Sequence, residues 1–216
     1  MSALERHTYI SKNFPLNKHG ECRRRMVHLA GINDAQYLVR ANIFGEKEFC
    51  PCYQQWSGML NRCYSEKQQE RQPTYKGVTV CDEWLTFSNF LMWWKENQIE
   101  GWQIDKDLLS DGKVYSPDTC IFIPGWLNKF TLTSLGKRGE WPIGATYCKD
   151  RGLFQSGCNH PIKRKRESLG RFSTPEAASE AWRRRKLEIA YELKHLIDSV
   201  DSRIYSRVVQ IISRAQ

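Results

Sequence analysis

Residues 173–197, STPEAASEAWRRRKLEIAYELKHLI, form the clearest helix pattern in the chain and limit what its last third can become. Ser173 or Thr174 can cap the helix, and Pro175 suits a first turn because no N–H is needed there. Glu176 sits where the helix dipole favours a negative charge. Ala178, Trp182, Ile189, Leu193 and Leu196 fall along one face. Ahead of it, PIGATYCKDRGLFQSGC holds strand-like segments broken at KDRG and SG, and HPIKRKRESLGRF ends in another short strand. The spacing therefore predicts a small sheet with a helix behind it. A last amphipathic segment, RIYSRVVQIIS, places Ile204, Val208 and Ile211 or Ile212 on one side. It is expected to pack on the body of the protein or on a partner.

Upstream, Trp56, Met59, Leu60 and Cys63 recur at i, i+3, i+4, i+7, the period of one apolar helix face. SEKQQERQPT reads as a polar loop and TYKGVTVC as a short strand. DEWLTFSNFLMWW reads as a helix capped by Asp82, with Glu83 in its first turn. Its stripe is Trp84, Phe87, Leu91 and Trp94, and tryptophans spaced this way belong to a core. Residues 102–130, WQIDKDLLSDGKVYSPDTCIFIPGWLNKF, read as strand, turn, returning strand and a short helical turn. LTSLGKRGEWP reads as a linker. Residues 1–50 give no clear elements.

Charge is unevenly spread. Residues 137–216 carry 17 Lys/Arg against 9 Asp/Glu, whereas residues 1–136 carry 16 against 15. The C-terminal part thus has the basic footprint of a polyanion binder. Eight cysteines follow an N-terminus, MSALERHTYI, too polar for a secretory signal, so free intracellular thiols and a cytoplasmic location are expected. No apolar run approaches the length of a membrane span, so no membrane partner is expected. Cys50, Cys52, Cys63 and Cys22 match no paired zinc-knuckle spacing, and buried thiols are expected there instead of structural zinc.

WSGMLNRCYS, VTVCDEWLTFSNF and IDKDLLSDGKVYSPDTCIFIPGWLN, covering roughly residues 50–130, resemble the HNH-type endonucleases carried by many bacteriophages, often as homing-type enzymes. The resemblance implies a ββα-metal core and Mg²⁺- or Mn²⁺-dependent cleavage of DNA. It places Asp105 and Asn128 as metal ligands, hard oxygen donors of the kind these ions take. Lys106 then stands where the family has its general-base histidine, and Thr119 where it has the asparagine that orients that histidine. A lysine is protonated at neutral pH, so Lys106 serves as a positive charge on phosphate and not as a base. Asp107 shares the strand parity of Asp105 and is a second candidate oxygen donor. No histidine lies between His28 and His160, and either of these could reach the site only through the fold.

The pieces IGA, LGRF and TPEAASEAW resemble the ethylene-response-factor (Apetala-type) DNA-binding domain over roughly residues 141–197. That resemblance implies a three-stranded sheet laid in the major groove of double-stranded DNA, with the helix behind it. Lys149, Arg151, Gln155, Lys163, Arg164, Lys165, Arg166 and Arg171 are then the candidate contacts. RRRK at 183–186 lies on the helix turned away from DNA and reads as a solvated face or a backbone contact.

The expectation is an α+β protein in three stretches. Residues 1–50 are of unclear role, 51–135 form an HNH-like ββα core, and 136–216 form the DNA-binding module with the C-terminal helix. Its function is DNA cleavage or nicking directed by that module. The alternatives are a DNA-binding or regulatory protein on a degenerate nuclease scaffold, or an interaction protein acting on a host or phage enzyme. The partner surface in the last case is residues 1–50 or the final amphipathic segment.

Overall fold

The structure, a computed structural model, describes residues 1–16, 25–132 and 140–215. The architecture is α+β, built from helices and small sheets, and the chain divides into two compact units, Met1–Phe122 and Ile123–Gln216.

In the first unit, α1 (Ala3–Asn13) starts with a capping box: Ser2 Oγ accepts from the Glu5 amide and Glu5 accepts from the Ser2 amide. A hairpin of β1 (Arg40–Ile43) and β2 (Glu46–Phe49) follows, its turn made by Phe44 and Gly45, both at positive φ. Pro51 opens α2 (Pro51–Tyr64), whose buried stripe is Cys52, Trp56, Met59, Leu60 and Cys63, as the period requires. SEKQQER is not a loop: Ser65 accepts a hydrogen bond from the Gln68 amide and caps a short helix, α3 (Glu66–Arg71).

The segment read as one helix from Asp82 is two elements. Asp82–Leu85 is a single 3₁₀ turn, and α4 (Phe87–Asn97) begins afresh after Thr86. Phe90 is buried beside Phe87 and Trp94, and Leu91 packs half-buried against the same core. The tryptophans are core residues: Trp56, Trp84 and Trp94 are at most 1% exposed. Burying an indole N–H requires a partner. Trp56 Nε1 donates to the Trp84 carbonyl at 2.6 Å and Trp94 Nε1 to Gln55 at 3.0 Å.

VYSPDTCIFIP also divides. β3 (Thr79–Val80) pairs in parallel with β5 (Val114–Tyr115), whereas β4 (Trp102–Asp105) pairs with β6 (Ile121–Pro124). A turn closed by Thr119 separates β5 from β6: its Oγ1 accepts from the Ser116 amide at 3.0 Å and donates to the Val114 carbonyl at 2.7 Å. Thr119, the residue in the place of the orienting asparagine, therefore holds backbone.

The second unit begins within β6 and continues into α5 (Gly125–Thr131). Residues 133–139, most of the expected linker, lie outside the described residues. Next come β7 (Ala145–Cys148), β8 (Leu153–His160) and β9 (Lys165–Phe172), an antiparallel sheet in that order. α6 (Pro175–Glu192) packs on it, capped by Thr174, whose hydroxyl accepts from the Ala177 amide. Gly144, at φ +83°, lies where a Cβ would fall 2.3 Å from Trp182 Cβ, so helix and sheet approach through it.

The long helix does not run to Ile197. It breaks at Leu193 (φ −95°, ψ 6°), and α7 (Lys194–Val200) restarts with Ile197, not Leu196, as its buried residue. α8 (Tyr205–Ser213) then returns against α6, burying Val208 and Ile212, with Ile204 buried just ahead of it. The final amphipathic segment thus covers its own unit. Among the described residues no helix is long and apolar enough to cross a membrane.

Candidate nucleic-acid interface and acidic centre

Asp105 is the last residue of β4, and its Oδ1 accepts from the amides of Asp107 (2.8 Å) and Leu108 (2.9 Å). This local closure ends the strand. Asp107 is therefore in the turn, and strand parity does not place it beside Asp105, contrary to expectation. Burial, reinforced by the neighbouring Asp107 charge, raises the Asp105 pKa above the ordinary carboxylate value, with the two amides and Lys106 opposing.

Lys106 turns inward and is only 7% exposed. Its ammonium donates to Asp107 Oδ1 at 2.7 Å and lies 5.5 Å and 5.7 Å from the ring centres of Tyr75 and Tyr115. Arg62, on α2, stacks on the same two rings at 5.7 Å each, and its Nε donates to the Tyr115 hydroxyl at 3.3 Å. Gly112, at φ +78°, closes the turn: a Cβ there would fall 1.9 Å from Asp107 Oδ1 and 3.3 Å from Lys106 Nζ. Burial pushes the Tyr115 phenol up, and likewise Cys63 to about 11 and Cys120 to about 12.

Sequence reasoning placed Asp105, Lys106 and Asp107 together but missed Arg62, Tyr75, Tyr115 and Gly112. Asn128 lies on α5, in the second unit. His28 is hydrogen-bonded to Ser57 Oγ at 3.2 Å, and His160 is in the second unit, accepting from the Lys163 amide at 3.2 Å. Asp105 offers hard oxygen of the type Mg²⁺ or Mn²⁺ takes, with the Lys106 ammonium next to it. No group of three or more His, Cys, Asp and Glu residues suited to a metal ion occurs among the described residues. Cys50 and Cys52 are buried free thiols, and Cys50 Sγ lies 3.3 Å from His7 Nδ1.

In the sheet, burial alternates along β8. Phe154, Ser156, Cys158 and His160 face α6, while Gln155 and Asn159 face outward. Partners across an antiparallel ladder share a face. Gln155 stands between Thr146 and Arg171, Gly157 opposite Ser168, and Asn159 opposite Arg166. These residues make one open polar face, with the Arg166 guanidinium drawn across Gly157, whose Cβ would lie 3.1 Å from Arg166 Nε.

A bulge decides which residues of β9 join that face. Ser156 pairs with Gly170 but Gly157 with Ser168, so Leu169 is the extra residue, next to Gly170 at φ +109°. Beyond it the alternation is reversed. Arg166 faces outward like Arg171, and Glu167 faces α6, where its carboxylate meets Arg185 at 2.6 Å.

Three of the eight expected contacts, Gln155, Arg166 and Arg171, therefore lie on the open face. Lys149 and Arg151 are exposed in the β7–β8 turn at one end of β8. Lys163 and Arg164 occupy the β8–β9 turn at the other end, Arg164 at φ +51° and Lys163 with its ammonium 3.6 Å from Glu192. Lys165 is opposite His160 and so lies on the α6 side, away from the face. Thr146, Asn159 and Ser168 were missed, although period-two counting from Gln155 reaches Asn159.

RRRK is mostly not a solvated stretch. Arg183 pairs with Glu180 and donates to the Ala215 carbonyl, and Arg185 joins Glu167, Glu188 and Glu192. Lys186 is buried, with its ammonium 2.6 Å from the Phe130 carbonyl oxygen. Of the four, Arg184 alone is exposed.

Comparison of the chain with protein-family models, with curated proteins and with solved structures returned no match.

Proposed function

We propose that this chain binds double-stranded DNA, with the open face of β7–β8–β9 entering the major groove. One observation supports this most directly: the outward rows of the sheet bring Gln155, Asn159, Arg166 and Arg171 onto one solvent-facing surface. A ribbon of two or three strands fits a major groove, arginine pairs with guanine and Asn or Gln with adenine. Lys149, Arg151 and Arg164, at the sheet's ends, are placed to meet the flanking phosphates. This agrees with the Apetala-type resemblance of residues 141–197.

Fluorescence anisotropy of a short labelled duplex, measured across a salt series, tests the reading. Arg166→Ala and Arg171→Ala should each weaken binding, and each lost phosphate contact lowers the log–log salt slope by roughly 1. Gln155→Ala should weaken it by an amount that depends on DNA sequence. Lys165→Ala, on the α6 side, should change little. Loss of affinity in Lys165→Ala equal to that in Arg166→Ala, or no duplex binding at all, would refute the sheet-face reading.

A second reading is Mg²⁺- or Mn²⁺-dependent nicking by an HNH-like ββα core, with Asp105 as a ligand of the ion. It is favoured by the order of elements: β4 ends on Asp105, pairs with β6, and β6 runs directly into a helix carrying Asn128. The ion would polarise the scissile phosphate. The chain's own part is to present Asp105, fixed by two amides, and a positive charge from Lys106. Nicking of supercoiled plasmid, dependent on metal and abolished by Asp105→Ala, would support this reading; duplex binding without nicking would leave a DNA-binding protein on a nuclease-like scaffold.

A further inference from the structure

Arg62 and Lys106 are two cations stacked on the same pair of tyrosine rings, and they share little counter-charge. Among the described residues no carboxylate forms an ion pair with Arg62, whose one hydrogen bond runs from Nε to the Tyr115 hydroxyl. Lys106, 7% exposed, has one ion pair among the described residues, to Asp107, whose side chain is 51% exposed. Stacking on rings offsets only part of the cost of holding cations out of water.

A buried ammonium whose counter-ion sits on a solvent-facing turn can exchange that counter-ion for an incoming anion. The guanidinium beside it offers a planar fork of donors matched to phosphate oxygens. We infer that Arg62 and Lys106 form a phosphate-binding site in the first unit, with Asp107 as the internal anion that a phosphate group displaces. That the phosphate belongs to a DNA strand rests on the function proposed above; the site itself does not. It is separate from the open face of the sheet, so the chain would hold nucleic acid through two surfaces.

The test is a titration of inorganic phosphate into the ¹⁵N-labelled full-length chain at constant ionic strength, following the amides of Asp107, Leu108 and Gly112. A saturable shift is expected, absent when chloride replaces phosphate. Asp107→Asn removes the competing charge and should tighten binding by about fivefold or more, whereas Lys106→Met and Arg62→Met should each weaken it by about tenfold or more. A parallel titration with a dinucleoside monophosphate separates the two sources. Tighter binding of the diester assigns the site to a nucleic-acid strand, and tighter binding of inorganic phosphate assigns it to the free ion. No saturable shift in both wild type and Asp107→Asn would overturn the inference, as would a shift surviving both cation replacements. Should Arg62→Met fail to fold, Asp107→Asn, at an exposed turn, still decides. Arg171→Ala leaves this titration unchanged, so its failure is distinct from failure of the sheet-face reading.

Discussion

The Lys186 ammonium sits 3.8 Å from the centre of the Phe130 ring and 2.6 Å from the carbonyl oxygen of that same residue. One residue thus supplies both the π face and the hydrogen-bond acceptor for a buried cation. Burial nonetheless pulls the Lys186 pKa down from 10.5 to about 8. Between those values the unfolded chain holds a proton that the folded chain has released, so stability rises with pH across that window. The gain is on the order of 3 kcal/mol at most. Urea unfolding followed residue by residue in α6 and β8 should show it, and Lys186→Met should flatten the slope.

His7 gives the first unit a dependence of the same sign in a more acidic window. It is 3% exposed, between Tyr37, Cys50 and Trp94. Burial, then the charge of Lys95, lowers its pKa from 6.5 to about 4. As pH falls through that window the unfolded chain takes up a proton that the folded one refuses, and stability is lost. The loss is also on the order of 3 kcal/mol at most. Amide signals of α2 and α4 should report it in urea series at pH 7, 6 and 5. A His7→Gln chain would start less stable but lose less on acidification.

Gly112→Ala should destabilise the first unit by about 1–3 kcal/mol, from the left-handed backbone and from the steric overlap with Asp107. The two causes separate in a double-mutant cycle. In an Asp107→Ala background the overlap is gone, and Gly112→Ala should cost about 1 kcal/mol less. Additive losses would show that the Asp107 carboxylate does not depend on the missing Cβ.

Five of the eight cysteines, Cys50, Cys52, Cys63, Cys120 and Cys158, are buried thiols, and burial raises the pKa of each. A thiol that is both covered and protonated is inert. In the native chain a thiol reagent should modify no more than the remaining three quickly. The five should react only on unfolding, as a mass-resolved time course would show.

What could be read from the sequence was whatever a local period or cap decides. The stripe of α2 and the Thr174–Pro175–Glu176 start of α6 are of that kind. Asp82, by contrast, looks like a helix cap, yet Thr86 holds an extended backbone and restarts the helix. Tyr115 and Ile121 look like parts of one strand, but their partners, Val80 and β4, are distant in sequence. The same limit applied to the acidic centre. Asp105, Lys106 and Asp107 are adjacent letters, whereas Arg62 and Tyr75 meet Lys106 only through tertiary packing. On the sheet the signal in the sequence is mostly charge, and charge alone cannot tell Arg166 from Lys165.

The bulge at Leu169 has a further consequence for that distinction. Had the ladder continued without it, Leu169 would oppose Gly157 and Glu167 would oppose Asn159. The outward face would then carry an acid where it now carries a guanidinium, with Arg166 turned under the helix. Composition and net charge would be unaltered. The charge that this sheet offers to solvent is therefore a property of strand phase, fixed by one unpaired residue beside a glycine: without it the face would keep Arg171 and gain Glu167, and the two charges would cancel.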